Sequence, residues 1–296
     1  MTGYIVRRIV RAIVLLVVVT VLSFFLFTVL PEANTSPHGG SFLDYLKAIF
    51  LHFNFGYSDR DHQSVLSLVV GRLPATLSLI AGAGLLSVAL AIPVGILAAV
   101  RRGTRFDRVA MGAALGVVSM PVFWLGLILL YLLASDIGDI PIFPGANSYA
   151  GLTADPGKWF TSLILPWLVL GAAMAAIYSR LLRGRMLAVM GEDYVRSARA
   201  RGVAEQRLVR RHGAVAAVAG LVAVVGFDIG ALLGGAVLTE TAFRIHGVGL
   251  LGYDAVRHSD YATVQGTVLL AAMLVVVVNL VLDVGFAWLD PRVSVA

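Results

Sequence analysis

The sequence predicts an all-α integral membrane protein with six transmembrane helices and a cytoplasmic helix-turn-helix hairpin. Of its 296 residues, 59% are hydrophobic and 14% are charged, and its mean hydropathy is +0.89. Soluble domains average about 45–50% apolar and about 25% charged residues, so this chain has too few polar residues to cover a water-soluble core. Two further observations support this prediction: the chain has six long apolar segments, and its arginines are unevenly distributed along the sequence.

The apolar segments are long enough to cross a membrane, which requires roughly 20 predominantly apolar residues. Asp228 is the only residue within them that is charged at neutral pH. Prolines in three of them are compatible with spanning helices, because neighbouring helices can satisfy the backbone groups that a proline leaves unpaired. We expect the first segment to be an uncleaved anchor, since no small-residue cleavage site follows its long apolar run. The six predicted spans are residues 12–30, 76–100, 109–134, 161–179, 213–238 and 262–282.

The basic residues indicate how the spans are oriented. With both termini in the cytoplasm, the inner segments carry 17 arginines and lysines and the outer segments carry 6. Cytoplasmic loops of membrane proteins are enriched in these residues. We therefore expect a multi-pass protein of the cytoplasmic membrane with cytoplasmic N- and C-termini.

Two outer segments have patterns of their own. Residues 42–51 carry apolar side chains at helical spacing, which predicts a helix along the outer membrane surface. Residues 140–157 contain three prolines and three glycines, which predicts an ordered loop rich in turns.

The longest inner segment predicts the hairpin. Glu192 and Asp193 favour a helix N-terminus through the helix dipole, Gly202 suits the left-handed turn that ends a helix, and a second short helix can begin near Ala204. The segment is too polar to enter the bilayer. From the residues alone, it either rests on anionic lipid or docks on a partner protein.

Several classes of function are disfavoured. The net charge of +6 comes from basic residues that are concentrated in the inner segments, so it does not indicate nucleic acid binding. The two lysines, Lys47 and Lys158, do not stand in the Gly-Lys-Ser/Thr motif of a phosphate-binding loop, so the chain should not bind ATP through that motif. With no cysteine, no histidine in any span and no recognisable spacing of metal ligands, we expect no catalytic residue and no metal site.

Four polar or flexible side chains are candidates for the translocation path or a gate. A carboxylate in the membrane is costly and should face protein or water, so Asp228 either lines a cavity or accepts a structural hydrogen bond, for example from Asn279. In a continuous helix it would lie opposite a stripe of Gly226, Gly230 and Gly234, which suits close helix packing. The other two candidates are Met120 in the third span and Glu240 at the outer end of the fifth.

Residues 193–202, Asp-Tyr-Val-Arg-Ser-Ala-Arg-Ala-Arg-Gly, resemble the EAA loop of bacterial ABC-importer permeases, in the version found in the dipeptide/oligopeptide/nickel family. Further segments resemble that family in the same order along nearly the whole chain. They are Asn-Phe-Gly-Tyr-Ser at 54–58, Arg-Leu-Pro-Ala-Thr at 72–76, Ser-Met-Pro-Val-Phe-Trp-Leu-Gly at 119–126, Gly-Gly-Ala-Val at 234–237, Glu-Thr-Ala-Phe at 240–243, Asp-Tyr at 260–261, Gln-Gly at 265–266 and Leu-Asp-Pro-Arg at 289–292.

This resemblance implies a type I ABC importer permease fold and an ATP-driven, binding-protein-dependent importer that works by alternating access. Its solutes would be di- or oligopeptides, or alternatively nickel complexes or other small solutes. The implied partners are a second homologous permease, two cytoplasmic ATPase subunits or domains that use ATP and Mg, an extracytoplasmic substrate-binding protein and membrane lipid. The chain itself would bind no cofactor.

The resemblance also implies an organisation and a coupling site. Residues 1–75 would form an N-terminal helix with an extracytoplasmic segment, residues 76–289 the permease domain, and residues 290–296 a short cytoplasmic tail. The coupling loop would be residues 190–212, docked in a groove of the ATPase. Its contact residues would be Arg196, Ala198, Arg199, Ala200, Arg201, Gly202 and Val203.

The chain departs from the family at four positions: Glu32 follows the first span without the usual Pro-Gly-Asp-Pro, Gly220 replaces a proline, His246 replaces the proline of a Pro-Gly pair, and Arg196 replaces the glutamate of the EAA loop. These departures concern the subfamily and the solute. A stand-alone secondary transporter with Asp228 as the ion carrier is the alternative class, but such transporters show paired inverted repeats, and none is evident here.

Overall fold

A computed structural model describes residues 2–29 and 41–289, except for the side chains of 2–6, 26–29, 222–223, 226–227, 229, 231 and 282–289. Glu32 and the predicted tail at 290–296 lie outside the described residues. Within the described ranges the regular elements are helices, and two isolated β-bridges join Tyr57 to Ser64 and Ala134 to Phe143. The α-helices are α1 Thr2–Val29, α2 Phe42–His52, α3 Val65–Val100, α4 Arg105–Ser119, α5 Val122–Leu133, α6 Pro156–Met190, α7 Asp193–Ala200, α8 Glu205–Leu208, α9 Val215–Phe227, α10 Ile229–Phe243, α11 Val248–Arg257 and α12 Tyr261–Leu289.

The chain divides into two compact units. The first consists of Met1–Leu77 and Ile229–Ala296, and the second of Ser78–Asp228. In the first unit, α12 packs against α1, α10 and α11. Its apolar core includes Tyr45 and Ile49, which lie four residues apart on one face of α2, together with Val69, Leu251 and Leu269.

The second unit is built around α6, which packs against α4, α5 and α9. Its apolar core includes Tyr178, Leu182 and Leu221. Glycines allow a close approach of α3 and α6 within this unit. A Cβ at Gly171 would lie 2.9 Å from the Ala83 carbonyl oxygen, so the two helices pack backbone against backbone at this point.

Four helices are long and apolar enough to cross a membrane within the described part of the chain: Arg7–Phe25, Val65–Val100, Pro156–Met190 and Tyr261–Val281. A fifth span results if α4 and α5 are taken together. The apolar character of the predicted spans is confirmed, while the exact count of six is not.

The predicted third span is bent by 106° between α4 and α5. Pro121 explains the bend, because it cannot donate a backbone hydrogen bond and it disfavours the helical region for the residue before it. Met120 accordingly has extended backbone angles, with φ −94° and ψ 136°.

The predicted span over residues 213–238 is interrupted at Asp228. A π-helical segment, Val209–Ala214, leads into α9, and α9 ends at Asp228, whose φ of −86° and ψ of 3° are not those of an α-helix. The Asp228 N–H is shared between the carbonyl oxygens of Val224 and Val225 at 3.2 and 3.3 Å, which tightens the last turn. The expectation that Asp228 lies opposite the glycine stripe was based on an unbroken helix. Because the helix is interrupted at Asp228, that expectation has no geometric support.

The two patterned segments have the predicted local structure, a helix in the first and a turn-rich loop in the second. Residues 42–51 lie within α2. Residues 140–155 form a loop, tied at its start by the Ile140 and Phe143 N–H groups, which donate to the carbonyl oxygens of Leu132 and Leu133 at 2.8 and 2.9 Å. This loop ends at Asp155, whose side chain caps α6 by accepting the Lys158 N–H.

Candidate functional site

The predicted hairpin is present in the second unit. Helix α7 begins at Asp193 and ends at Ala200, Gly202 takes a left-handed φ of 81°, and α8 begins at Glu205. The N–H groups of Gly202 and Val203 donate back to the carbonyl oxygens of the last turn of α7, at 3.0 and 3.2 Å. Glycine takes this conformation without the steric cost that a side chain adds, so the sequence and the geometry of the turn agree.

Two apolar side chains hold the hairpin on the rest of the unit. Val195 of α7 and Leu208 of α8 are both fully buried. The tip between them is exposed: a Cβ at Gly202 would have no atom within 4 Å. The hairpin is therefore fixed at its base and free at its turn.

The three predicted contact arginines have different surroundings. Arg199 forms a two-pronged ion pair with Glu205, at 2.9 and 2.8 Å, which joins α7 to α8 across the turn. This hydrogen-bonded pair lowers the pKa of Glu205, so the carboxylate is charged at neutral pH. Arg196 contacts the Gly191 carbonyl oxygen and the Asp193 carboxylate. Arg201 is exposed and has no ion pair with another described residue.

The small residues of the predicted contact set lie beside these arginines. Ala200 is exposed, and Ala198 and Val203 are half-buried. Sequence reasoning did not identify Glu205 as the partner of Arg199. One feature of the sequence could have identified it: Glu205 is a lone carboxylate three residues after Gly202, at the start of the second helix. A carboxylate at this position also interacts favourably with the helix dipole.

Glu240 is fully buried in the first unit and caps the start of α11. Its Oε2 accepts the Leu250 backbone N–H at 2.9 Å, and its Oε1 accepts the Thr76 hydroxyl at 2.7 Å. The Thr76 hydroxyl in turn accepts the Val248 N–H at 2.9 Å. The first N–H groups of a helix have no partner within that helix. Thr76 and Glu240, which are 164 residues apart, therefore supply the cap of α11.

The glycines before and after Val248 make room for this carboxylate. A Cβ at Gly247 would overlap the Glu240 carboxyl group, and one at Gly249 would lie 3.0 Å from its Oε2. An apolar cavity of about 540 Å³ adjoins the network and is lined by residues of α3, α10, α11 and α12, including Glu240. The cap thus holds α11 as one wall of this cavity.

Asp260 caps α12 in a similar way. Its carboxylate accepts the Thr263 N–H at 3.2 Å, the Thr263 hydroxyl at 2.8 Å and the Ser58 hydroxyl, although Ser58 is 202 residues away. The Ser58 hydroxyl also accepts the Asp61 N–H at 3.0 Å. Four of the sequence segments that carry the resemblance therefore meet at two buried carboxylates.

The other pathway candidates lie apart from Glu240. Asn279 lines a different cavity of the first unit, between α1 and α12, and its Oδ1 is buried with no hydrogen-bond partner among the described residues. In the second unit, Met120 is exposed at the bend between α4 and α5, and Asp228 lies at the end of α9. A role of these residues in translocation stays a prediction.

Two contacts of the second unit were not expected from the sequence. Asp107 of α4 is buried and forms a two-pronged ion pair with Arg183 of α6, at 2.6 and 2.8 Å. The guanidinium of Arg185 occupies the space that a Cβ at Gly220 would need. This contact gives a physical reason for a glycine where the family has a proline.

The sequence of this chain is similar to those of known membrane transport proteins. Residues 91–295 match the family described as binding-protein-dependent transport system inner membrane component. The dipeptide transport system permease protein DppB of Escherichia coli (strain K12) is 36% identical over 276 residues, which cover 87% of this chain and 81% of that protein. The di/tripeptide transport system permease protein DppB of Pseudomonas aeruginosa (strain UCBPP-PA14) is 35% identical over 268 residues, covering 85% and 80%.

A third relative spans almost the full length of both chains. The probable peptide ABC transporter permease protein y4tP of Sinorhizobium fredii (strain NBRC 101917 / NGR234) is 32% identical over 313 residues, covering 98% of each. With the family match and these relatives together, the chain belongs to the family of inner membrane components of binding-protein-dependent transport systems.

Proposed function

We propose that the chain is the permease subunit of an ATP-driven importer of di- and oligopeptides. Membership of the family supports the permease role, and the relatives named as dipeptide, di/tripeptide and peptide permeases support the class of solute. The chain forms half of the translocation pathway, and a second, homologous permease forms the other half. An extracytoplasmic binding protein delivers the peptide. ATP and Mg are used by two cytoplasmic ATPase subunits and not by this chain.

The exposed turn of the hairpin is the observation that carries the proposal of docking on the ATPase. A lever must be fixed to the membrane domain and open to its partner. Val195 and Leu208 provide the fixed base, while Arg201 and Gly202 leave an exposed charge and an open surface at the tip. A short helix that presents small and charged residues can lie in a groove of a partner.

The Arg199–Glu205 pair supports the same role in another way. It ties the two helices of the hairpin together, so force on the tip is transmitted to α8 and onward through the π-helical segment to α9. A loop that only rests on anionic lipid has no need of such internal bracing. In the proposed mechanism, closure of the ATPases moves the hairpin and changes which side of the membrane the pathway opens to.

The arginine asymmetry supports cytoplasmic termini and a cytoplasmic hairpin. In this orientation the residues of the 140–155 loop and α11 lie on the extracytoplasmic side, where the binding protein docks.

Gly202→Trp tests the docking proposal. The substitution strains a backbone with φ 81° and places a bulky ring on the exposed tip. We expect the variant to accumulate in the membrane near the wild-type level, to lose its ATPase subunits on purification, and to lose ATP-driven uptake of a labelled dipeptide. Ala198→Glu should have the same effect through a misplaced charge.

Gly103→Trp is the matched control. Gly103 lies in the exposed turn between α3 and α4 and has a φ of 79°, and a Cβ at this position would likewise have no atom within 4 Å. The control variant should keep both ATPase binding and uptake. If Gly202→Trp also keeps both, the hairpin is not the docking element and the lipid-surface interpretation is correct. If docking is intact but only nickel chelates are taken up, the peptide assignment is wrong.

A further inference from the structure

A second cavity of the first unit combines positive charge with an apolar wall. It has a volume of about 190 Å³ and lies between α1 and α12. Arg8 and Arg11, one turn apart on α1, line it together with Asn279 of α12. Ala12 and Leu15 continue the lining along α1. The cavity is distinct from the one that Glu240 lines.

We propose that this cavity binds one anionic glycerophospholipid of the cytoplasmic leaflet, with phosphatidylglycerol as the preferred headgroup. Basic pockets between transmembrane helices on the cytoplasmic side suit anionic lipid headgroups. Guanidinium groups bind phosphate oxygens through charge-assisted hydrogen bonds. Arg8 and Arg11 are placed to contact a lipid phosphate at the cytoplasmic end of α1.

Asn279 supplies the second polar element of the site. Its Oδ1 is buried and accepts no hydrogen bond from any described residue. A buried acceptor without a donor is costly. The glycerol headgroup of phosphatidylglycerol carries hydroxyl groups that can donate to this oxygen while the phosphate contacts the arginines. A lipid whose headgroup ends at the phosphate has no glycerol hydroxyl to donate to this oxygen.

The apolar residues indicate a lipid rather than a free phosphate ion. Val276 and Leu280 of α12 line the cavity together with Ala12 and Leu15 of α1. The adjoining surface of α1 is apolar and open, since Ile13, Val14 and Val17 are all exposed. An acyl chain can follow this surface from the cavity into the bilayer, whereas a free anion gains nothing from it.

Lipid titration of the purified full-length chain in detergent tests the proposal. Native mass spectrometry counts the bound lipids, and the thermal unfolding midpoint reports stabilisation. We expect palmitoyl-oleoyl phosphatidylglycerol to bind and to raise the midpoint, and phosphatidylcholine with the same chains to do neither at the same concentration. Inorganic phosphate should not raise the midpoint. Each arginine near an anionic headgroup contributes about a fivefold change in affinity, so Arg8→Gln with Arg11→Gln should weaken binding about 30-fold.

Three variants make the result decisive. Arg101→Gln with Arg102→Gln removes the same charge from the turn between α3 and α4 and should bind the lipid like the wild type. Asn279→Leu should weaken phosphatidylglycerol binding and leave phosphatidic acid binding unchanged. If the variant with both Arg8→Gln and Arg11→Gln does not fold, Arg11→Gln alone replaces it in the test, because the Arg11 side chain is exposed. This single variant should weaken binding about fivefold.

The proposal is overturned if the Arg8 and Arg11 variants bind phosphatidylglycerol like the wild type. It is also overturned if the control pair loses binding equally, which would indicate general surface charge, or if inorganic phosphate alone gives the same stabilisation, which would indicate an anion site without a lipid.

Discussion

Single residues of this protein make room for buried polar groups. Gly247 is required because the Glu240 carboxylate fills the position of a Cβ, and that carboxylate is held by Thr76 and Leu250. Gly220 leaves space for a different neighbour, the guanidinium of Arg185. The two glycines should differ in how well they tolerate alanine, because a capping carboxylate is fixed by several hydrogen bonds and the end of an arginine side chain can move.

Gly247→Ala should therefore lower the stability of the protein by about 1–3 kcal/mol, the cost of disturbing a buried hydrogen-bonded group. Gly220→Ala should cost less, since Arg185 can move away. Thermal unfolding in detergent measures both. In a double-mutant cycle, the cost of Gly247→Ala should shrink when Glu240→Ala is already present, because the carboxylate that it disturbs is gone. Simple additivity would show that the overlap at position 247 does not determine stability.

Helices approach one another closely where glycine leaves space. Within the second unit, α3 and α6 touch at Gly171, where a Cβ would lie 2.9 Å from the Ala83 carbonyl oxygen. The backbone of α3 cannot move out of the way without repacking of the helix. Gly184, on the same helix α6, is exposed and has no atom within 4 Å of a Cβ position.

Gly171→Val should lower stability by about 1–3 kcal/mol, as overpacking does in other cores. Gly184→Val should change it by less than about 0.5 kcal/mol, since exposed positions tolerate substitution. The midpoints of thermal unfolding of the two variants, measured in the same detergent, give the comparison. Equal effects at the two positions would mean that helix propensity dominates and that the close approach of α3 and α6 contributes little.

At the scale of the whole molecule, the orientation of the termini can be measured directly. The chain has no native cysteine, so single introduced cysteines report accessibility cleanly. The structure guides the choice of positions, because several residues of the predicted outer segments, such as Phe55 and Leu250, are buried and would not react. Asp59 and Val256 are exposed alternatives.

Asp59→Cys, Leu152→Cys and Val256→Cys should react with a membrane-impermeant maleimide in intact cells. Arg102→Cys and Ala200→Cys should react only after the cells are opened. The arginine asymmetry is the physical basis of this expectation. Labelling of Ala200→Cys from outside would reverse the orientation and would separate the hairpin from any cytoplasmic ATPase.

The sequence by itself determined the helical class, the apolar character of the spans and the hairpin. Each of these depends on local properties: runs of apolar residues long enough for a bilayer, and a glycine that takes a left-handed backbone after a short polar helix. Gly202 and the α7–α8 hairpin were therefore predictable to within a residue or two.

Only the tertiary structure decided which distant residues meet. That Thr76 and Glu240 cap α11, that Ser58 joins Asp260 at the start of α12, and that Asp107 pairs with Arg183 follows from packing, because contacts across 76 to 202 residues leave no local periodicity in the sequence. The same reason explains the break of the fifth predicted span at Asp228. Apolar composition allows a continuous helix there, and the end of α9 depends on how its last turn is hydrogen-bonded within the folded chain.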